Sequence, residues 1–191
     1  MWIEVLGLPG VGKTTAISRL LAEGSIKANV IRSDNPSLSQ RIYAKFLYLF
    51  LYRRLCRINS LALKLAYRHS LRLFLSRNDN VFFFDSGLIQ VLIEYIIAED
   101  EPDFDMIERI IYKIKFTDRV ILLTDKLENI VKRECLRSPR RYSFAEDDLT
   151  NRYKKALTYI EEMLISRLES SVVIEISIND NKQLNIALGS N

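Results

Sequence analysis

The chain of 191 residues contains only two cysteines and a single histidine, and this scarcity argues against several classes of site. Cys56 and Cys135 show neither CxxC spacing nor a histidine partner, so we expect no disulfide framework, no zinc site and a reducing compartment. His69 lies far from any candidate nucleophile, and we interpret it as a surface or core-packing residue. No apolar run is as long as a membrane span, and the first strand begins too early to leave room for a signal peptide. We therefore expect a cytoplasmic protein.

Acidic residues are missing between Asn35 and Asn78, in a chain whose formal net charge is +4. Within that stretch, residues 46–52 form an unbroken apolar and aromatic run. Three interpretations stay open: core helices with a solvated basic face, a site for an anionic acceptor, or contact with a membrane or nucleic acid. The basic residues of the stretch are Arg41, Lys45, Arg53, Arg54, Arg57, Lys64, Arg68, Arg72 and Arg77.

Length and composition predict one folded α/β domain over residues 1–191, since 48% of the residues are apolar and 27% are charged. Short apolar runs alternate with stretches of helical periodicity. This alternation predicts a parallel sheet with helices on both faces, whose ligands bind at the carboxyl ends of the strands. The predicted strands are residues 2–6, 28–33, 81–84, 120–123 and 172–176. The predicted helices are residues 15–22, 38–77 with a break near 59–60, 88–98, 104–115, 126–136 and 146–168.

The strongest motif is GLPGVGKT at residues 7–14, which matches GxxxxGK[ST]. A phosphate-binding loop must leave a strand and open a helix, because its backbone N–H groups then converge on a polyphosphate at the positive end of the helix dipole. Both flanks are present here. The sequence therefore predicts a nucleotide-phosphate site at the first loop.

Each position of this loop has a predicted role. The glycines allow the backbone to approach phosphate oxygens closely, and Pro9 stiffens the loop. The Lys13 ammonium is expected at the β- and γ-phosphates, and the Thr14 hydroxyl is expected to ligate Mg²⁺. The residues predicted to bind the nucleotide are Gly7, Pro9, Gly10, Val11, Gly12, Lys13, Thr14 and Thr15.

Three aspartates end or follow predicted strands. Asp85 closes an apolar strand, an arrangement that holds Mg²⁺ directly or through water in P-loop proteins; the alternative is a plain helix N-cap. Asp34 is a candidate for orienting or deprotonating an acceptor hydroxyl, and the alternative is an Asx turn before Pro36. Asp125 most simply caps the following helix, so we leave it outside the site.

An arginine-rich segment follows the fourth predicted strand and is broken by Pro139. Phosphoryl transfer depends on cations around the migrating group, and arginines on a mobile segment supply them. Arg133 and Arg137 are four residues apart on one helical face, and we expect both to point into the cleft. The alternative is a solvated basic surface.

Taken together, these residues resemble the nucleoside and nucleotide kinase group of P-loop proteins, most closely the thymidylate-kinase-like branch. The resemblance implies a three-layer α/β/α fold with a five-stranded parallel sheet in the order 2-3-1-4-5. It also implies ATP with Mg²⁺ at the loop, an acceptor site within residues 35–78 and an arginine lid over residues 133–145. It rests on residues 7–15, Phe84-Asp85-Ser86-Gly87 and residues 123–133, and more loosely on Phe144, Glu146 and Tyr153.

One departure concerns the acceptor. Thymidylate kinases usually follow the third-strand Asp with Arg, whereas this chain has Ser86-Gly87. Residues 85–90 look instead like small P-loop proteins encoded among bacterial surface-polysaccharide genes, which puts thymidylate as the acceptor in doubt.

We therefore expect an ATP-dependent kinase that transfers the γ-phosphate of Mg-ATP to a small anionic acceptor: a nucleotide, a nucleoside, or a sugar or glycan. Its catalytic residues would be Lys13, Asp34, Asp85, Arg133 and Arg137, with Thr14 and Asp85 as metal ligands. The alternative is a regulatory NTPase or a nucleotide-dependent binding module. We expect no nucleic-acid partner, whereas peripheral membrane contact, a lipid-linked glycan and a homodimer remain open.

Overall fold

The structure, a computed structural model, describes residues 2–22, 29–31, 38–75, 82–84, 87–113, 119–137, 145–165 and 173–177. The strands are β1 Trp2–Leu6, β2 Asn29–Ile31, β3 Phe82–Phe84, β4 Arg119–Thr124 and β5 Val173–Ser177. The helices are α1 Lys13–Ala22, α2 Leu38–Leu47, α3 Arg53–Leu55, α4 Asn59–Leu75, α5 Leu88–Ala98, α6 Phe104–Lys113, α7 Leu127–Arg137 and α8 Glu146–Tyr159. Two π-helical segments continue helices, Tyr48–Tyr52 after α2 and Ile160–Ile165 after α8.

The strands form one five-stranded sheet in the order β2-β3-β1-β4-β5, and every neighbouring pair is parallel. This is the order that the family resemblance implied. Strand β1 is central, with Ile3 opposite Phe83 of β3 and Val5 opposite Ile121 of β4. Ile3, Val5 and Leu6 are all buried, as expected for a strand covered on both faces. The loop after β1 therefore leaves the middle of the sheet.

Helix α5 shows why the sheet is so well covered. It is apolar on almost its whole circumference, and all of its residues from Leu88 to Ile97 except Glu94 are buried. A helix that is hydrophobic all round belongs inside a protein. Helix α5 contacts α4 and α8. Arg152 of α8 donates hydrogen bonds to the Ile97 carbonyl, near the end of α5, and to Asp100, which follows that helix.

The predicted helix over residues 38–77 is broken, as expected, but the break lies slightly earlier. Helix α3 ends at Leu55 and α4 begins at Asn59, so the interruption falls at residues 56–58. The π-helical segment that precedes it was not predicted. His69 behaves as the packing residue expected from the sequence: its Nδ1 lies 3.0 Å from the hydroxyl of the buried Tyr52.

Several predicted features fall partly outside the described residues. Asp34 and Asp85 lie outside them, and so do residues 138–144 of the predicted lid. The described beginning of that segment, residues 133–137, forms the last turns of α7. Within the described helices, none combines the length and the apolar character that a bilayer crossing requires.

Candidate functional site

The loop between β1 and α1 has the backbone geometry that its glycines predicted. Gly10 and Gly12 have φ angles of +85° and +101°, in a region that side chains disfavour. A Cβ atom at Gly10 would lie 2.8 Å from the carbonyl oxygen of Ile130 on α7. The Val11 N–H donates to the Leu8 carbonyl at 3.1 Å, which closes a tight turn. Gly10 is therefore required both by its backbone angle and by the closeness of α7.

Lys13 is folded back over this loop. Its Nζ donates a hydrogen bond to the Gly7 carbonyl at 2.7 Å and a longer one to the Leu8 carbonyl at 3.4 Å. The ammonium group is thus held at the loop rather than extended into solvent. The chain also places no acidic residue in the first turn of α1, although helices favour acids there. Thr14 and Thr15 are exposed in this first turn, at the positive end of the helix dipole.

Two helices from the second half of the chain hold the tip of the loop. Arg133 of α7 donates from Nε to the Gly10 carbonyl at 2.9 Å. Tyr153 of α8 donates from its hydroxyl to the Pro9 carbonyl at 3.3 Å, in a buried contact. Because a trans peptide places its N–H opposite its C=O, the Gly10 N–H points away from Tyr153. These contacts fix the orientation of two successive peptide groups in the loop.

Asp125, which the sequence analysis left outside the site, orients the arginine of this arrangement. Its Oδ2 accepts a hydrogen bond from Arg133 Nη2 at 2.5 Å, and its Oδ1 accepts from the Lys126 N–H and the Asn129 amide. Burial alone would raise the pKa of Asp125, but the hydrogen bond from Arg133 and the others outweigh it and hold the pKa below its usual value. Asp125 is therefore ionised at neutral pH and positions Arg133 against the loop.

A buried carboxylate on β1 is a second feature that the sequence analysis missed. Glu4 is 1% exposed, and its Oε1 accepts the N–H of Gln90 in the first turn of α5 at 3.0 Å. Gly87, the N-cap of α5, offers no side-chain cap, and a Cβ atom there would overlap the Glu4 carboxylate. The carboxylate therefore caps α5 from the central strand, at the favourable end of the helix dipole. A charged residue in an otherwise apolar strand was the signal available in the sequence.

Glu134 of α7 lies directly behind the loop tip. It is 2% exposed, and its Cβ would be 3.3 Å from a Cβ atom at Gly10. Within the described part of the chain, neither of its carboxylate oxygens has a hydrogen-bond partner. An unpartnered buried carboxyl group costs stability, so Glu134 is a candidate for a stabilising apolar substitution.

A separate cleft of about 690 Å³ lies between α7 and α8. Both signs of charge line it, and no residue of the phosphate loop is among its lining residues. We therefore do not assign the phosphate site to it. Its lining residues are Lys126, Leu127, Glu128, Val131, Lys132, Glu146, Thr150 and Lys154.

The predicted site residues divide into two groups. The structure brings together the loop residues from Gly7 to Thr15 and Arg133, whose described contacts are to Gly10 and Asp125. The other group stays a prediction: the side chain of Arg137 at the end of α7, and both Asp34 and Asp85, lie outside what the structure describes.

No family model matches the chain, and no curated protein matches it. Among solved structures, it is similar to the deoxyadenosine kinase from M. mycoides with bound dATP, at 16% identity over 98% of this chain and 97% of that chain, with a TM-score of 0.59. The structure of that kinase with products dCMP and dCDP gives 15% identity over 98% and 96% of the two chains and a TM-score of 0.58. Thymidylate kinase from Candida albicans gives 17% identity, 98% and 88% coverage and a TM-score of 0.56. The chain therefore has the fold of the P-loop nucleoside and nucleotide kinases.

Proposed function

We propose that this protein is an ATP-dependent phosphotransferase that moves the γ-phosphate of Mg-ATP to a small anionic acceptor. One observation carries the proposal: a glycine loop leaves the central strand with positive φ at Gly10 and Gly12, holds Lys13 over itself, and is fixed from behind by Arg133 and Tyr153. Loops of this geometry at a helix N-terminus bind polyphosphates. A fixed loop meets the demand of phosphoryl transfer for accurate positioning.

Within this proposal, the residues at the loop bind and neutralise phosphate. Lys13 would bind the β- and γ-phosphate oxygens in place of the Gly7 carbonyl, and Thr14 with Asp85 would hold Mg²⁺. Bound Mg²⁺ supplies charge neutralisation at the transferred group. An oxygen-rich pair of a hydroxyl and a carboxylate is the donor set that Mg²⁺ prefers.

The remaining predicted residues act on the acceptor and on the developing charge. Asp34 accepts or orients the acceptor hydroxyl, and Arg133 with Arg137 stabilises negative charge around the migrating phosphoryl group. For Arg133 this requires the guanidinium to keep its place beside Gly10 while its exposed edge faces the nucleotide. Its side chain is 44% exposed, which leaves such an edge free of protein cover.

The acceptor is proposed from the fold and the charge. Similarity to deoxyadenosine kinase and thymidylate kinase supports a nucleoside or a nucleotide, and of these only the nucleotide carries negative charge. The acid-free stretch between Asn35 and Asn78 supports an acceptor with negative charge, and a phosphorylated sugar or glycan meets that requirement as well.

The test is product formation from Mg-ATP across panels of nucleosides, nucleotides and sugar phosphates. We expect ADP release to depend on one acceptor class, and Lys13→Ala to abolish it because the phosphate charge is then uncompensated. Lys113→Ala, at an exposed position on α6, is the matched control and should retain full activity. Acceptor-independent hydrolysis would favour the alternative of a regulatory NTPase, and an active Lys13→Ala variant would refute the assignment of Lys13.

A further inference from the structure

The outer side of α2 and of the π-helical segment that continues it exposes many large apolar side chains. Of the nine exposed large hydrophobic side chains among the described residues, six lie between Leu38 and Phe50. Leu38 is 75% exposed, Ile42 62% and Phe50 59%. Contiguous apolar exposure of this kind marks an interaction surface. We call the following residues the apolar ridge: Leu38, Ile42, Tyr43, Phe46, Leu49 and Phe50.

The ridge is continuous along the helix rather than scattered. Leu38, Ile42 and Phe46 follow one another at helical spacing, and the π-helical segment places Phe50 next in line. The rings of Phe46 and Phe50 have their centroids 4.4 Å apart, and those of Tyr43 and Phe46 are stacked at 6.4 Å. These rings therefore pack along the outside of the domain, while Ala44 and Tyr52 of the same segment are buried.

Exposed cations accompany the ridge. All of them lie within the acid-free stretch, and within the described part of the chain none of them forms an ion pair. An amphipathic helix with aromatic and aliphatic residues beside lysine and arginine is the pattern that lies in the headgroup region of an anionic bilayer. We call these residues the basic flank: Arg41, Lys45, Arg53, Arg54 and Arg57.

We propose that the apolar ridge and the basic flank together form a docking surface for a membrane containing anionic lipid. The charge argues against a second copy of the chain, because a symmetric contact through this face would bring two basic flanks together with no acidic residue to neutralise them. A nucleic acid would use the cations but leaves the aliphatic Leu38 and Ile42 without a role. The proposal uses no residue of the phosphate loop, so it does not depend on nucleotide binding there; it does offer a second role for the acid-free stretch that we cited for an anionic acceptor.

The test is vesicle flotation with the full chain, using phosphatidylcholine vesicles with and without phosphatidylserine. We expect flotation only with phosphatidylserine, and release at about 1 M salt, where screening shortens the reach of charges to about 3 Å. The double variant Arg53→Gln/Arg54→Gln should lower the partition coefficient roughly 10- to 30-fold. The double variant Phe46→Ser/Phe50→Ser should lower it at least as much, because both rings enter the interface.

Control variants on α6 change an arginine and an aromatic residue that lie outside the ridge and the flank. Arg109→Gln and Tyr112→Ser, both at exposed positions, should float like the unchanged protein. Because all the substituted side chains are exposed, circular dichroism should show unchanged folding in every variant.

Four results would overturn the proposal. One is no flotation with phosphatidylserine vesicles at low salt. Another is flotation that both double variants retain. The third is a dimer in light scattering that Phe46→Ser/Phe50→Ser dissociates without changing flotation, which would assign the ridge to a second copy. Binding to a duplex oligonucleotide that exceeds vesicle binding, and that only the arginine variant loses, would likewise replace the lipid by nucleic acid.

Discussion

Arg133 donates a hydrogen bond to the carbonyl oxygen of Gly10, a residue 123 positions earlier in the chain, at 2.9 Å. Replacing Arg133 by Met removes this contact and the bond to Asp125, so the loop tip loses one of its two supports. We expect Mg-ATP affinity to fall about three- to tenfold, the value of roughly one hydrogen bond. Isothermal titration calorimetry measures this, with Arg109→Met on α6 as the control. Unchanged affinity in Arg133→Met would show that the contact does not shape the loop.

The depressed pKa of Asp125 predicts a pH-dependent contribution to stability. The folded pKa lies below the unfolded value of about 3.9, so the stabilisation is present above that pH and is lost as pH falls through the folded pKa. Asp125→Asn should therefore lower the free energy of unfolding by about 1 kcal/mol at neutral pH and by progressively less below about pH 4. Urea unfolding across this range measures the difference.

Asp105→Asn, at an exposed position in the first turn of α6, is the control for the loss of a carboxylate. A difference between Asp125→Asn and the unchanged protein that stays constant down to low pH would contradict the assigned ion pair.

At Glu134, we expect an apolar substitution to raise stability without improving nucleotide binding. Leu has a similar size and no polar atoms, so Glu134→Leu should raise the free energy of unfolding by about 1–3 kcal/mol, the cost of an unpartnered buried polar group. Nucleotide binding should not improve in parallel, because the loop geometry is set by Gly10 and its tethers. Chemical denaturation and calorimetry on the same samples test both points. Glu101→Leu, at an exposed position, should leave stability unchanged, and a destabilised Glu134→Leu variant would show that the carboxylate has a structural role.

The two cysteines should differ sharply in reactivity. Cys135 is exposed, whereas Cys56 is buried, and its burial raises the pKa of its thiol. A thiol reagent at neutral pH should modify one cysteine in the folded protein and the second only after denaturation, and Cys135→Ser should abolish the fast reaction. Because the Cys56 thiol ionises more easily in the unfolded chain, the free energy of unfolding should also fall as pH rises beyond about 8.5. Rapid modification of Cys56 in the folded protein would contradict its burial.

The loop could be predicted from sequence because its function is local: the glycines, Lys13 and Thr14 stand within eight consecutive residues, between a recognisable strand and helix. Sheet order followed from the family resemblance. The support of the loop could not be predicted, because Arg133 and Tyr153 reach it through contacts across 123 and 144 residues. The spacing of residues within a motif does not predict which backbone carbonyl a side chain from a distant part of the chain will contact.

Asp125 and Glu4 show how far the local sequence predicts the contacts of a side chain. For Asp125, local reasoning predicted a cap on the following helix. Its Oδ1 instead accepts the N–H of Lys126, one residue before α7 begins, and its Oδ2 accepts a hydrogen bond from Arg133, which local reasoning missed. For Glu4, the partner lies 86 residues away, at Gln90. Only an unexpected charge in an apolar strand indicated that such a partner exists. The π-helical segment Tyr48–Tyr52 carried no sequence signal at all.

The long reach of Tyr153 has a consequence for the chain during its synthesis. The glycine loop leaves the ribosome before Tyr153, whose hydroxyl supports Pro9 and follows 144 residues later in the chain. A nascent chain that has not yet been extended through α8 therefore carries the motif without its supported shape. The supported shape of the loop thus forms only after α8 has been made, well after the loop itself.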